Sequence, residues 1–113
     1  MGETLLNLAQ SMPSVNTLTG IYTVPSSTTA AISSIIICNQ NSSGSAANVR
    51  MSIGVGGASD TGFPGSQYFC YASLTAQNMV EITTGISMAA GDVLRCYSDT
   101  ANVSFTVSGV QVT

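Results

Sequence analysis

Residues 28–39 read Thr-Thr-Ala-Ala-Ile-Ser-Ser-Ile-Ile-Ile-Cys-Asn. It is the longest β-rich run of the chain, and β-branched side chains fit a pleated strand. Its centre, Ile35-Ile36-Ile37-Cys38, is apolar at consecutive positions. Successive strand residues point to opposite faces, so this strand is expected to be dry on both. That predicts a central strand whose outer face is covered, by another subunit in the reading we favour.

Working outward, the same period recurs. Val49, Met51, Ile53 and Val55 alternate with Arg50, Ser52 and Gly54, the signature of a half-buried strand. Val103, Phe105 and Val107 alternate with Ser104, Thr106 and Ser108. Further strands are read at Thr19–Val24, Gln67–Ser73, Met79–Thr83, Ile86–Met88 and Val93–Ser98. Turn chemistry separates them: Pro25-Ser26-Ser27, the loops 40–46 and 56–66, and the tight turns Ala89–Asp92 and Asp99–Asn102. About eight short strands with turns every ~8–12 residues predict an all-β antiparallel β-sandwich or jelly roll. No alternation of strand and helix predicts a parallel sheet.

Residues 1–18 are read as an N-terminal arm and residues 19–113 as the sandwich domain. Leu5, Leu6 and Leu8 fit a short helical stripe that Pro13 ends. The arm is expected either to pack on a neighbouring subunit or to strap its own domain. Its opening residues lack the basic region and apolar stretch of a secretion signal. No run approaches the ~20 apolar residues of a membrane-spanning helix.

The composition is unusual. Of 113 residues only seven are formally charged, Lys and His are absent, and the net charge is −3. Ser, Thr, Asn and Gln supply 42 residues, so neutral polar groups must solvate the surface. Charge is depleted in the buried centres of interfaces, which favours a protein packed against itself or a larger surface. Two arginines make no phosphate-binding patch in sequence, so nucleic acid is not expected as a partner. A membrane surface is not expected either, on the same ground.

Catalysis is not expected. Without His or Lys the usual bases are missing. The carboxylates Asp60, Glu81, Asp92 and Asp99 are read as turn caps and solvated positions rather than an acid–base pair. No spacing suits a metal or a nucleotide, and no cofactor is expected. Cys38, Cys70 and Cys96 each sit in a strand-like run and are read as buried small hydrophobes; the sequence leaves a disulfide between two of them open. The Asn41-Ser42-Ser43 and Asn102-Val103-Ser104 sequons are read as coincidence. Tyr22, Tyr68, Tyr71 and Tyr97 are read as facing a core or a subunit interface rather than a sugar. The candidate interface residues are Leu5, Leu6, Leu8, Ile35, Ile37 and Tyr71.

Several segments together carry a resemblance. Thr17–Pro25 (Thr-Leu-Thr-Gly-Ile-Tyr-Thr-Val-Pro), Ala31–Asn39, Ile86–Tyr97 (Ile-Ser-Met-Ala-Ala-Gly-Asp-Val-Leu-Arg-Cys-Tyr) and Val103–Val110 resemble successive strands of small virion proteins of tailed bacteriophages. The Ala-x-Gly-Asp turn is also similar to one in trimeric jelly rolls of the complement and tumour-necrosis type. The resemblance implies a structural protein located in the virion, similar to capsid decoration, or cement, proteins that sit as homotrimers on the major capsid protein of the assembled head. Tail-, neck- and fibre-associated β-modules, which bind a partner protein or a host glycan, share these features. The resemblance carries no catalytic residue. The acidic balance of the chain is expected to oppose basic patches on a capsid.

Overall fold

The computed structural model describes residues 3–44, 46–57 and 67–113; of Glu3, Thr4 and Leu5 it describes the backbone. Nine strands follow one another: β1 (Glu3–Ser11), β2 (Thr19–Thr23), β3 (Thr29–Asn39), β4 (Ala47–Gly54), β5 (Tyr68–Leu74), β6 (Asn78–Thr83), β7 (Ser87–Met88), β8 (Val93–Ser98) and β9 (Val103–Val112). All pairings are antiparallel. One sheet runs β1-β9-β3-β6, with β7 also on β3; the other runs β2-β8-β4-β5. The protein is an all-β sandwich of two antiparallel sheets.

The strand order has a simple rule. β6 and β7 both pair with β3 and act as one strand interrupted at residues 84–86. First then pairs with last (β1 with β9), second with second-last (β2 with β8), third with the interrupted strand, and β4 with β5. A long hairpin rolled around a barrel gives this nesting, the arrangement of a jelly roll.

Alternation builds the core. Ile32, Ile35 and Ile37 of β3, Val103, Phe105 and Val107 of β9, Val49 and Met51 of β4, and Leu94 and Cys96 of β8 are all buried between the sheets. Ile32 and Ile35 are three residues apart, so a regular strand would turn them to opposite faces. A β-bulge between Ile32 and Ser34 inserts Ser33 and returns Ile35 to the core. The partner there is Gly109. A Cβ on Gly109 would stand 2.2 Å from the carbonyl oxygen of Ala31, so the two backbones approach closely only because that side chain is a hydrogen.

The helical stripe expected of Leu5, Leu6 and Leu8 is not formed. These residues lie on β1, an edge strand hydrogen-bonded to β9 of the same domain. A second bulge, between Asn7 and Ala9, leaves Leu8 opposite no residue, and its side chain packs on the core. This bulge hides the period of two in β1, which is why the segment reads as a leader. The linker to β2 is anchored: Pro13 is buried, the Asn16 amide donates to Ser98 O at 2.9 Å, and the Tyr97 hydroxyl donates to Asn16 Oδ1 at 2.9 Å.

One end of the sandwich is tied by asparagines. Asn39, fully buried, donates its Nδ2 to Leu74 O at 3.0 Å, while its Oδ1 accepts from the Asn41 backbone at 3.1 Å and from Asn41 Nδ2 at 2.9 Å. Asn41 Nδ2 also donates to Ala101 O, and Asn102 Nδ2 donates to Asn41 Oδ1. Both sequon asparagines are thus engaged in joining loops.

Candidate functional site: the two outer faces of the sandwich

A sandwich leaves two outward faces, and here they differ in chemistry. On the first sheet, the residues alternating with the core are Ser104, Thr106 and Ser108 of β9, Ser34, Ile36 and Cys38 of β3, and Met79, Glu81 and Thr83 of β6. The register aligns Gln10, Thr106, Ile36 and Glu81 in one row across four strands. Ser34 and Ser108 share a hydroxyl hydrogen bond of 2.8 Å. Ile36 and Cys38 are half-buried among these small neighbours. Met79 is 54 % exposed. Among the described side chains, Glu81 is the one charge on this face. The face is made mostly of small uncharged residues, whose hydroxyls need hydrogen-bond partners if it is covered.

The expected dryness of both sides of β3 is therefore met in part. Ile35 and Ile37 are 0 % exposed, inside the protein's own core. As interface candidates they are corrected: they have no surface to offer a partner, and the outward residues are their neighbours Ile36 and Cys38. Leu6 and Leu8 are half-buried against their own domain, and the Leu5 side chain lies outside the description. Tyr71 is 64 % exposed but belongs to the opposite outer face. The five candidates whose side chains are described do not converge.

The second sheet's outer face is aromatic and basic. Arg50 of β4 is paired in register with Tyr71 of β5 and Tyr97 of β8. Its guanidinium lies 5.0 Å from the Tyr71 ring centroid and 4.8 Å from that of Tyr97, sandwiched between two π faces that attract it. Tyr68 meets Tyr71 edge-on at 5.3 Å. Ser52 and Arg95 form the adjoining row with Tyr68. Both arginines of the chain and three of its four tyrosines lie on this side of the sheet, where Ser52, Arg95 and Tyr97 are buried and Tyr71 is exposed; Tyr22 instead accepts a hydrogen bond from Gln111 Nε2. A cleft of about 290 Å³ opens beside the stack, lined by Asn48, Arg50, Tyr71 and Ser73 among others.

Asp92 and Asp99 serve the backbone. Asp92 is buried; its Oδ1 accepts from the Gly56 amide at 2.8 Å and its Oδ2 from the Ala89 amide at 2.9 Å, closing the turn into β8. It also lines a cleft of about 490 Å³ at the β5–β7 side, otherwise walled by residues such as Ile53, Tyr68, Phe69 and Ile86. Asp99 accepts from the Asn48 side chain at 2.7 Å, the Asn48 amide at 2.8 Å and the Thr100 hydroxyl at 2.9 Å. The Asn48 donors hold its carboxyl below the usual range. Glu81 is exposed on β6, and Asp60, with most of the loop 56–66, lies outside the described residues.

The cysteines are free thiols. Cys70 and Cys96 sit on opposite sides of Met51, on strands flanking β4, two strand spacings or about 9.6 Å apart. A disulfide needs Cα atoms within about 7 Å, so these two are not bridged. Burial pushes the Cys70 thiol up and the Cys96 thiol to about 12, although the Ser11 side chain partly offsets the latter. Neither is a nucleophile at neutral pH. Among the described residues no cluster of His, Cys, Asp and Glu could hold a metal ion.

The fold and these faces define a jelly-roll β-sandwich whose distinctive chemistry lies on its outer surfaces. No protein-family model matches the chain, and no curated protein matches it.

Proposed function

We propose that this chain is a structural protein of a tailed-bacteriophage virion, a capsid decoration protein that associates with copies of itself, as a trimer, and stabilises the assembled head. The observation that carries the reading is the outer face of the first sheet. Its strands present Ser, Thr, Gln, Ile, Cys and an exposed Met79, with a single described charge, Glu81, on the edge strand. Four strands about 4.8 Å apart, each about eight residues long, give a flat area on the order of 500 Å². That is the scale of one side of a standard interface, about 800 Å² of accessible surface. The near absence of charge in the whole chain removes repulsion between copies, and the resemblance of residues 17–110 to small phage virion proteins supplies the setting.

Such a protein would work by mass action. A molecule that binds only the assembled shell stabilises that state by its binding free energy. The chain needs no catalytic group for this, only a rigid body with complementary faces, and the jelly roll provides one. Cryo-microscopy of the source particle tests the location: density for this fold at regular positions on the head is expected, and its absence from the head refutes a decoration role.

The exposed Tyr71 ring beside a polar cleft favours a second reading, a tail-, neck- or fibre-associated module that binds host glycan. Binding of host polysaccharide that is lost in Tyr71→Ala, with the chain located on the tail, would support it instead.

A further inference from the structure

The first sheet has two edges, β1 and β6, and they are not alike. We infer that copies of this chain meet edge to edge, the β1 edge of the first sheet's outer face packing against the β6 edge of the next copy, around an axis that runs along the strands. The inference rests on the self-association proposed above and names the two surfaces that meet.

Register sets the two edges level with each other. Asn7, Ser108, Ser34 and Thr83 form one row across the outer face, and Gln10, Thr106, Ile36 and Glu81 form the next. The third row is Ser104, Cys38 and Met79. Met12 is level with it, directly after the end of β1, where Ser11 pairs with Phe105. The outward residues of the two middle strands are half-buried, whereas Asn7, Gln10 and Met12 at one edge and Thr83, Glu81 and Met79 at the other are exposed.

Exposed hydrocarbon marks one end of both edges. Among the described residues the exposed large apolar side chains are Met12, Val15, Val55, Tyr71 and Met79. Met12 and Met79 stand at the same end of the first sheet but across three strand spacings, about 14 Å. They are too far apart to cover each other within one chain. Copies whose strands run along a common axis bring the Met12 of one against the Met79 of the next. Both then leave water, which favours the contact. Val15 adds apolar surface in the same linker as Met12.

Charge and symmetry select unlike edges. A patch that matches itself closes at two copies, so a ring of three needs two different patches in contact. Glu81 is the one charge among the six edge residues. Two β6 edges in contact would set Glu81 near Glu81, and facing like charges destabilise a pair. The β1 edge instead offers Gln10 in the same row, and its side-chain amide can donate to a carboxylate.

The test uses full-length chains in which Cys38→Ser removes the half-buried thiol of this face. To that background are added Met12→Cys, Met79→Cys or both. Each is treated with a mild oxidant and, separately, with a short thiol-to-thiol cross-linker, so that a small misfit in bond geometry does not hide the contact. Products are read on a non-reducing gel, and native mass is measured before linking. The double variant is expected to give a covalent trimer, each single variant to stay one chain, and the two singles refolded together to give linked pairs. A bond within one chain is not expected, because a disulfide needs Cα atoms within about 7 Å. A native trimer whose double variant gives no covalent trimer overturns the inference, as does linkage in the single variants, which would show like edges in contact. A wild-type chain and Cys38→Ser background that are both monomeric overturn the self-association reading itself, a result distinct from the other two.

Discussion

Ile36 and Ile37 are adjacent on β3 and point to opposite sides of the first sheet, Ile37 into the core at 0 % exposure and Ile36 outward among Thr106, Glu81 and Gln10. Their substitutions should separate folding from association. Ile37→Ala removes fully packed atoms and should cost about 2–5 kcal/mol. Ile36→Ala leaves no enclosed cavity and should cost about 1 kcal/mol or less in the isolated fold. Urea denaturation of the two variants at one protein concentration checks the order; equal losses would mean that the strand is not oriented as described.

Gly109 stands on β9 where β3 leaves no room for a side chain. Gly109→Ala places a methyl group against the Ala31 carbonyl, backbone that cannot swing aside as a side chain can. A loss of about 3 kcal/mol, or no soluble protein, is expected. Ser108→Ala, one residue away, gives up one half-buried hydroxyl pair and should cost about 1 kcal/mol. A Gly109→Ala protein that melts like the wild type would contradict the bulged register.

Asp99 gives stability a pH dependence of known sign. Its folded carboxyl titrates below the unfolded value near 3.8. As pH falls through that value the unfolded chain takes up the proton first, so stability is present above it and is lost as pH drops through the depressed folded value. Asp99→Asn should flatten the stability profile in that acid window, and thermal melts across it read the difference. A profile unchanged by the substitution would mean that the Asn48 clamp is not formed in solution.

The thiols should react in a fixed order. Cys70 and Cys96 are buried and held protonated, Cys96 up to about 12, whereas Cys38 is half-buried on an outer face. An aromatic disulfide reagent at mildly alkaline pH should modify Cys38 first and reach the other two only after denaturation. If copies cover the first sheet's outer face, Cys38 should also slow as protein concentration rises. Because the unfolded Cys96 ionises near 9 and the folded one near 12, its contribution is complete below 9 and is lost as pH rises through the folded value.

Much of the fold is legible in the sequence because alternation writes it there. Val103–Val112 lies where the period of two places it, and Val93–Ser98 and Thr29–Asn39 lie where β-rich composition between turn signals places them. What escaped has a physical cause. The bulges at Leu8 and Ser33 each add one residue, so the inward face changes parity midway along β1 and midway along β3. The helical expectation for the leucines and the choice of Ile35 and Ile37 over Ile36 both follow from that. Val55, read as the fourth inward residue of its strand, is 71 % exposed because β4 ends at Gly54 and the chain turns. The Tyr71–Arg50–Tyr97 stack was hidden for a different reason: its members come from three strands and meet only through sheet register, which no local spacing reveals. Asp92 and Asp99, by contrast, sit in turns whose chemistry announces them.

The central claim is that copies of this chain bury the outer face of the first sheet against one another. Native mass spectrometry of the purified wild-type chain and of Ile36→Asp tests it most directly. The account expects the wild type to run as a trimer and the variant, still folded by circular dichroism, as a monomer. A wild-type chain that stays monomeric at high concentration, or a trimer indifferent to a carboxylate at position 36, would contradict it.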